Sequence, residues 1–300
     1  MKKRKGIVLA GGSGKRLHPL TISISKQLLP VYDKPMVYYP LSTLLLSGIE
    51  DILIICNPGE DILFSRLLGD GSQLGVNISY MIQHKPEGIA QSLILGKDFL
   101  KDDPCVLILG DNIFHGGGLE ELLLSVSNRS TGATVFAYEV KDPQRYGVIE
   151  FDNSGNAISI VEKPIDPSSK YAVTGLYFFD NKAYDIASSI KPSARGELEI
   201  TDVNKEYLKM NQLHVEVLKS GSVWLDAGTH DSLLESSQFI STLQKRQAIN
   251  VACLEAIAYQ KGLITNDQLR MAASKLGKSD YSNYLLKVAE TNIIPREWGN

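Results

Sequence analysis

What this chain lacks narrows it first. It has 3 cysteines in 300 residues, Cys56, Cys105 and Cys253, far apart and without a CxxC spacing. A disulfide framework and a structural zinc site are therefore not expected. Cys56 and Cys105 lie in apolar, strand-like runs and read as core residues. Excess positive charge is also missing: the formal net charge is -3, so there is no global basic field for nucleic acid, and an anionic ligand must be held by local cations. No apolar stretch is long enough to span a bilayer. Met1-Lys-Lys-Arg-Lys resembles the basic start of a signal peptide, but the apolar run behind it, Ile7 to Ala10, is short and ends in glycine. The expectation is a cytoplasmic protein with no membrane partner. Internal repeats, low-complexity segments and linkers are absent as well.

Several catalytic signatures are missing too. There is no GxSxG elbow and no HExxH, and the full GxxxxGK[ST] spacing fails because Arg16 stands where its second glycine belongs. The five histidines, His18, His84, His115, His214 and His230, show no metal-ligand spacing.

What remains is a chain that is 43% hydrophobic, enough for a sizeable core. From the front, short apolar strands alternate with helical spacings. Strands are expected at Ile7–Ala10, Ile52–Cys56, Asn77–Gln83, Cys105–Leu109 and Ala133–Val140. Helices are expected over Pro35–Gly48, Asp61–Leu68, Ala90–Leu100 and Leu119–Ser127. This is the rhythm of an α/β fold, a Rossmann-like, mixed but mainly parallel sheet flanked by helices. After Val140 three closer strands, Tyr146–Phe151, Ala157–Glu162 and Ala172–Phe179, read as a small antiparallel insert. Helices at Leu198–Met210 and Ser232–Gln247 enclose short strands at His214–Leu218 and Val223–Leu225. Residues 1–250 thus form the α/β core with its insert. Residues 251–300 form a C-terminal helical appendage, with helices near Asp267–Leu276 and Ser282–Glu290.

Ligands of such sheets bind beyond the carboxyl ends of the strands, and several groups collect there. The first strand breaks into Gly11, Gly12 and Gly14, followed by Lys15, Arg16 and, after a loop, Lys26. Unobstructed backbone N–H groups beside cations suit a phosphate chain, although a lone glycine cluster is also an ordinary turn. Asp111 and Asp226 each follow a strand. Singly, each is an ordinary turn or cap residue; together, beside a phosphate loop, they suggest a shared Mg²⁺, an ion content with one or two carboxylates plus phosphate oxygens and water. Lys163, after the strand that ends at Glu162, is a cation for a second phosphate group or a solvated lysine before Pro164. The donor and acceptor of Gln83 suit a pyrimidine imide edge. Gly147, after Tyr146, and Gly175, after Val173 and Thr174, allow a sugar ring to approach the backbone.

Leu9-Ala-Gly-Gly-Ser-Gly-Lys-Arg-Leu17 with Ser25-Lys-Gln-Leu-Leu-Pro30 resembles the signature of the sugar-nucleotide nucleotidylyltransferases. Val31 to Pro40, Leu109-Gly-Asp-Asn112, Arg145-Tyr-Gly-Val148, Glu162-Lys-Pro164, Tyr171 to Tyr177, Arg195 to Asp202 and Trp224 to Asp231 are similar to the glucose-1-phosphate thymidylyltransferase branch of that family. The resemblance implies a Mg²⁺-dependent reaction of dTTP with glucose 1-phosphate. It places the triphosphate on Gly11, Gly12, Gly14 and Arg16, with Lys26 at the reacting phosphate, Gln27 in the nucleotide site, and thymine on Gln83 and the backbone near Gly88. It gives the metal to Asp111 and Asp226. It places the sugar phosphate beside Tyr146, Gly147, Glu162, Lys163 and Val173, with Asn112 and Arg195 near. It also implies a homotetramer that a dTDP-sugar inhibits at a second site. Lys15 departs from the family, which usually carries a small residue such as threonine there, so nucleotide affinity is expected to depend on what Lys15 does. A uridylyltransferase and a catalytically dead regulatory paralogue are the alternatives. A glycosyltransferase with a DxD metal motif is disfavoured, because Asp111 is followed by Asn112 and Ile113.

Overall fold

The computed structural model describes residues 3–291. Met1 and Lys2 of the basic start, and the last nine positions of the expected appendage, lie outside the described residues. The strands and helices follow in chain order as β1 (Lys5–Leu9), β2 (Pro30–Val31), β3 (Lys34–Pro35), α1 (Tyr38–Leu46), β4 (Asp51–Cys56), α2 (Asp61–Leu68) and β5 (Asn77–Ile82). Next come α3 (Gln91–Leu95), α4 (Lys97–Leu100), β6 (Cys105–Leu109), β7 (Asn112–His115), α5 (Leu119–Ser127), β8 (Ala133–Glu139), β9 (Gly147–Phe151), β10 (Ala157–Glu162) and β11 (Tyr171–Phe179). The chain closes with α6 (Ala183–Ser189), α7 (Ile200–Lys209), β12 (Leu213–Val217), β13 (Val223–Asp226), α8 (His230–Gln247), α9 (Leu254–Gln260), α10 (Asn266–Lys275) and α11 (Asp280–Thr291).

β1 lies between β4 and β6, parallel to both, and β5 adds in parallel beyond β4. β1, β4 and β6 are apolar over most of their length because both of their faces are covered, whereas the outer strand β5 carries Asn77 and Ser79 on its exposed side. In β1 and β4, Val8, Ile52, Ile54 and Cys56 join a core shared with α1, α2, α5 and α9, whereas Ile7, Leu53 and Ile55 join the opposite core with α3, α6 and α7. A third cluster packs Val31 of β2, Met36 just before α1 and Tyr39 of α1 with β7, β13 and α8. The α9 residues Leu254, Ala256, Ile257 and Ala258 are buried in the first of these cores. Among the described residues no helix is long and apolar enough to cross a membrane.

The antiparallel part is built on β11. Its C-terminal half pairs with β6 and its N-terminal half with β9, both antiparallel, while β8 runs along its other edge and carries β12. Changing partners on one edge leaves residues 173–175 without a strand partner there, between the β6 and β9 pairings. The pairing with β8 shifts register over the same stretch, between Val173 and Tyr177.

Several element boundaries differ from the sequence expectation. The helix expected over Ala90–Leu100 is two helices meeting at Gly96, where a Cβ would come 2.9 Å from Ile7 Cδ1. The helix expected from Pro35 starts at Tyr38, because Lys34 and Pro35 pair with β2 in a short ribbon. After β6 the chain does not simply turn: it bends at Gly110–Asp111 into β7, which pairs antiparallel with β13 so that Asn112 faces Asp226. Helices α6 and α9 are too short for their periodicity to stand out in sequence.

Candidate active site

A cavity of about 590 Å³ opens at the carboxyl ends of β1, β5 and β6 and runs under β11 toward β9 and β10. It collects most of the residues picked from sequence: Gly11, Gly12, Arg16, Lys26, Gln27, Gln83, Gly88, Asp111, Asn112, Tyr146, Gly147, Glu162, Lys163, Val173 and Asp226 all line it. Three do not. Gly14 lines a smaller adjoining pocket, Lys15 is exposed outside the cavity wall, and Arg195 stands behind Glu162.

The glycine loop is held open by a neighbour that sequence reasoning passed over. The N–H of Gly12 donates to Asn57 Oδ1, and Asn57 Nδ2 donates back to the Gly12 carbonyl, both at 3.0 Å. Asn57 follows β4, and its amide and backbone N–H are both oriented by Glu60 Oε2. Gly12 has φ +104°, a conformation open mainly to glycine. The loop then closes in a single helical turn, Lys15–Leu17, which anchors Leu17 in the core and leaves Arg16 at the rim. A Cβ at Gly228 would meet Arg16 Nη2 and Asp226 Oδ1, each at 2.8 Å, so guanidinium and carboxylate flank that glycine.

The bend after β6 places Asp111 in the cavity floor, with its side chain 8% exposed and ion-paired to Lys26. Burial pushes the Asp111 carboxyl up, but the Lys26 charge and hydrogen bonds from Lys26 and Asn112 outweigh it and hold the group below the usual carboxylate range. Asp226 is raised, first by burial and then by the Asp111 charge, against the opposing pull of Lys26, Arg16 and Arg145. Arg145 Nη2 lies 3.7 Å from Asp226 Oδ2. Two carboxylates thus share a floor ringed by three cations.

Asn112 ties this floor to the sheet. Its Oδ1 accepts from the Trp224 indole N–H at 2.6 Å and from the Gly175 N–H at 2.9 Å, and its Nδ2 donates to Asp111 Oδ1 at 3.2 Å. The Gly175 bond supplies a partner to a β11 N–H at the place where that strand has left β6 for β9. A Cβ on Gly175 would come 2.6 Å from Asn112 Oδ1, so the contact requires glycine.

On the far wall, Glu162 accepts from Thr201 Oγ1 and is paired with Arg195 at 3.3 Å. Arg195 is in turn bound by Glu199 at 2.8 Å and Glu197 at 3.4 Å. Lys163 has φ +43° and its N–H donates to the Tyr146 carbonyl. Its side chain joins the lining of the cavity, with Nζ 3.5 Å from Glu162 Oε1 at the end of β10. At Gly147 a Cβ would meet Thr201 Oγ1 at 3.1 Å and Val173 Cγ2 at 3.6 Å, so the wall there is backbone and lies within reach of a ligand. Thr201, Trp224, Glu197 and Tyr177 also line the cavity. Thr201 lies in α7, Trp224 in β13, Tyr177 in β11 and Glu197 in the segment before α7; as single residues they carry no local signal, and only the fold directs them inward.

A glycine loop, a buried carboxylate pair and convergent cations at the strand ends of a mixed α/β sheet define a nucleotide-phosphate transfer fold. The chain belongs to the nucleotidyl transferase family, whose model matches residues 5–242. Over 294 residues, 98% of this chain and 100% of the relative, it is 56% identical to the glucose-1-phosphate thymidylyltransferase of Xanthomonas campestris pv. campestris strain B100. It is 53% identical over 288 residues to the enzyme of the same name from Mycobacterium tuberculosis H37Rv, covering 96% of this chain and 100% of that one. Among solved structures, a Bacillus anthracis protein in complex with sucrose superposes with a TM-score of 0.73 at 43% identity, over 79% of this chain and 94% of that one. A UDP-glucose pyrophosphorylase complexed with UDP-glucose shares the fold at 24% identity, with a TM-score of 0.70 over 80% of this chain and 98% of that one.

Proposed function

We propose that this chain transfers the thymidylyl group of dTTP to glucose 1-phosphate, giving dTDP-glucose and pyrophosphate. The observation that carries the reading is the pairing of near-full-length identity to thymidylyltransferases with the carboxylate pair and its three cations in one cavity. A phosphate oxygen of the sugar phosphate attacks the α-phosphorus of dTTP in line. The new P–O bond forms as the bond to the β-phosphate oxygen breaks, and pyrophosphate leaves with the electron pair. No covalent enzyme intermediate is required, so the work of the protein is positioning and charge.

The loop Gly11–Gly14 and Arg16 receive the triphosphate, with Gln27 beside them. Lys26 sits at the α-phosphate, where a fixed ammonium favours the charge that builds during displacement. Lys163 holds the phosphate of the sugar. Tyr146, Gly147, Glu162 and Val173 receive the glucosyl ring, Asn112 sets the Asp111 carboxylate, and Arg195 keeps Glu162 aimed. Gln83 and the backbone at Gly88 read the base. Lys15, exposed outside the cavity, is left to solvent.

The chemistry of the floor fits Mg²⁺. Asp111 and Asp226 are two hard oxygen donors that repel each other, and Asp226 is raised by its burial and then by the Asp111 charge. Among the described residues no group of three or more metal-binding side chains occurs, which leaves the two-carboxylate set that Mg²⁺ accepts alongside phosphate oxygens and water. Asp111 and Asp226 would hold the ion, which when bound supplies charge neutralisation on the triphosphate. The reading extends to a cytoplasmic homotetramer inhibited by a dTDP-sugar at a second site, supported by family resemblance and tested by gel filtration and by titration with the product sugar nucleotide.

Pyrophosphate release with a panel of nucleoside triphosphates and sugar 1-phosphates tests the reaction. dTTP with glucose 1-phosphate is expected to give the highest kcat/KM. UTP is expected to work at a rate lower by roughly 10- to 200-fold, the range one methyl group discriminates. No release with dTTP under any sugar phosphate would overturn the assignment.

A further inference from the structure

Gln83 leaves the carboxyl end of β5 and is 3% exposed. Its amide oxygen lies over the glycine loop, 2.3 Å from where a Cβ on Gly11 would stand. By shape alone an amide fits either way round, and the polarity of its neighbours decides between the two. Here that polarity can be followed outward from a group that cannot be reversed. The backbone N–H of Glu87 only donates, and it donates to Gln91 Oε1 at 3.0 Å. At the other end of the same amide, Gln91 Nε2 donates to Glu87 Oε2 at 3.0 Å. Both contacts permit one orientation of Gln91. Its Oε1, fixed in this way, accepts from Gln83 Nε2 at 2.6 Å. A flipped Gln83 would set two carbonyl oxygens against each other at that distance. The oxygen of Gln83 is therefore turned toward Gly11.

We propose that Gln91 is a positioning residue that decides which pyrimidine this site accepts, by holding the Gln83 carbonyl on the Gly11 side and one remaining Gln83 N–H beside it. The inference rests on Gln83 being the base contact of the proposed reaction. An imide, as in thymine or uracil, offers an N3–H donor next to a carbonyl acceptor, which matches an amide carbonyl next to an N–H. Cytosine offers the reverse order, an unprotonated N3 next to an amino group. Only a flipped Gln83 satisfies cytosine, and Gln91 prevents the flip. Thymine and uracil differ by a methyl that the Gln83 edge does not touch, so Gln91 has no part in choosing between them. Nothing in the isolated segment Gln83-His-Lys-Pro-Glu-Gly-Ile-Ala-Gln91 announces this. The turn from β5 into α3 brings the two glutamines together.

The test is kcat/KM for dTTP, dUTP and dCTP with glucose 1-phosphate in the full-length enzyme, in Gln91→Leu and Gln91→Met, and in Gln91→Glu combined with Glu87→Gln. The wild type is expected to prefer dTTP to dCTP by at least about 100-fold, because a mismatched edge leaves paired groups unsatisfied. Gln91→Leu and Gln91→Met are expected to reduce that preference at least about ten-fold while leaving the dTTP/dUTP ratio and the KM for glucose 1-phosphate unchanged. Gln91→Glu combined with Glu87→Gln keeps an oxygen acceptor for Gln83 Nε2 and the residue 87 N–H while restoring a donor opposite the new carboxylate, and is expected to keep the dTTP/dCTP preference even if both rates fall. If the leucine and methionine variants lose activity toward all three nucleotides in equal proportion, or keep the wild-type dTTP/dCTP ratio, the proposal is overturned. A wild type that fails to release pyrophosphate from dTTP overturns the reaction itself, a result visible before any variant is compared.

Discussion

Lys26 and Asp111 form an ion pair in the cavity floor, and Asp226 shares that floor without an equal partner. The asymmetry splits the two carboxylates. Asp111 is held low, so its contribution to stability is present above the ordinary carboxylate range and is lost as pH falls through its depressed pKa. Asp226 is raised, so its ionised form costs stability at every pH above its raised pKa, and protonation relieves the cost.

Replacement of Asp226 by Asn should therefore stabilise the fold while removing activity. With metal chelated at neutral pH, D226N is expected to melt higher than wild type. The difference from wild type should shrink as pH is lowered through the raised pKa, because wild-type Asp226 is then also neutral. Turnover should fall at least about 100-fold. A lower Tm for D226N at neutral pH would contradict the electrostatic account, and full activity with Mg²⁺ would contradict the metal assignment.

Asn112 supports three contacts at once, and its removal should be felt in both stability and catalysis. Asn112→Ala strands the buried Trp224 indole N–H and the Gly175 N–H. The expected cost is about 2–5 kcal/mol, as two unsatisfied buried donors require, read as a lower urea midpoint with unchanged slope. Asn112→Asp keeps the acceptor but adds a charge beside Asp111 and Asp226. It should be less destabilising at pH 5 than at pH 8, because protonation of the added carboxyl removes its repulsion of the floor carboxylates. Equal midpoints for Asn112→Ala and wild type would show that the three-way contact contributes nothing.

At Gly88 both φ, +113°, and space demand glycine: a Cβ would stand 2.3 Å from the Leu198 carbonyl oxygen and 2.5 Å from its nitrogen. The clash is with backbone, so no side chain can move to relieve it. Gly88→Ala should push the segment after Gln83 off Leu198, raising the KM for dTTP about ten-fold or more with little change in the KM for glucose 1-phosphate. Parallel rises in both constants would place Gly88 outside the nucleotide half of the cavity.

Lys15 bears on the one departure from the family pattern. It is exposed on the helical turn whose next residue, Arg16, lines the cavity. Lys15→Thr is expected to leave the KM for dTTP within about two-fold of wild type at moderate salt, since a solvent-exposed charge interacts weakly through water and is screened by salt. A several-fold rise that persists at high salt would show direct contact with the triphosphate.

Much of this molecule was legible in one dimension. The apolar runs of β1, β4 and β6 identified buried strands, because a strand covered on both faces has no polar positions to confuse it. The glycines after β1 and the aspartates at the ends of β6 and β13 marked the site, because strand ends in such sheets converge and few other reasons place glycine and charge there together. Tertiary structure alone decided how these parts are aimed. That β7 pairs with β13, setting Asn112 opposite Asp226, depends on a bend at Gly110–Asp111 that no periodicity signals. That Asn57 clasps Gly12, Trp224 feeds Asn112, Arg195 braces Glu162 and Gln91 turns Gln83 depends on contacts across 8 to 112 positions of sequence. Local pattern reports whether a residue is buried and in what kind of element. The direction of a polar side chain is settled by the donor or acceptor that folding brings to it, and that partner is written elsewhere in the chain.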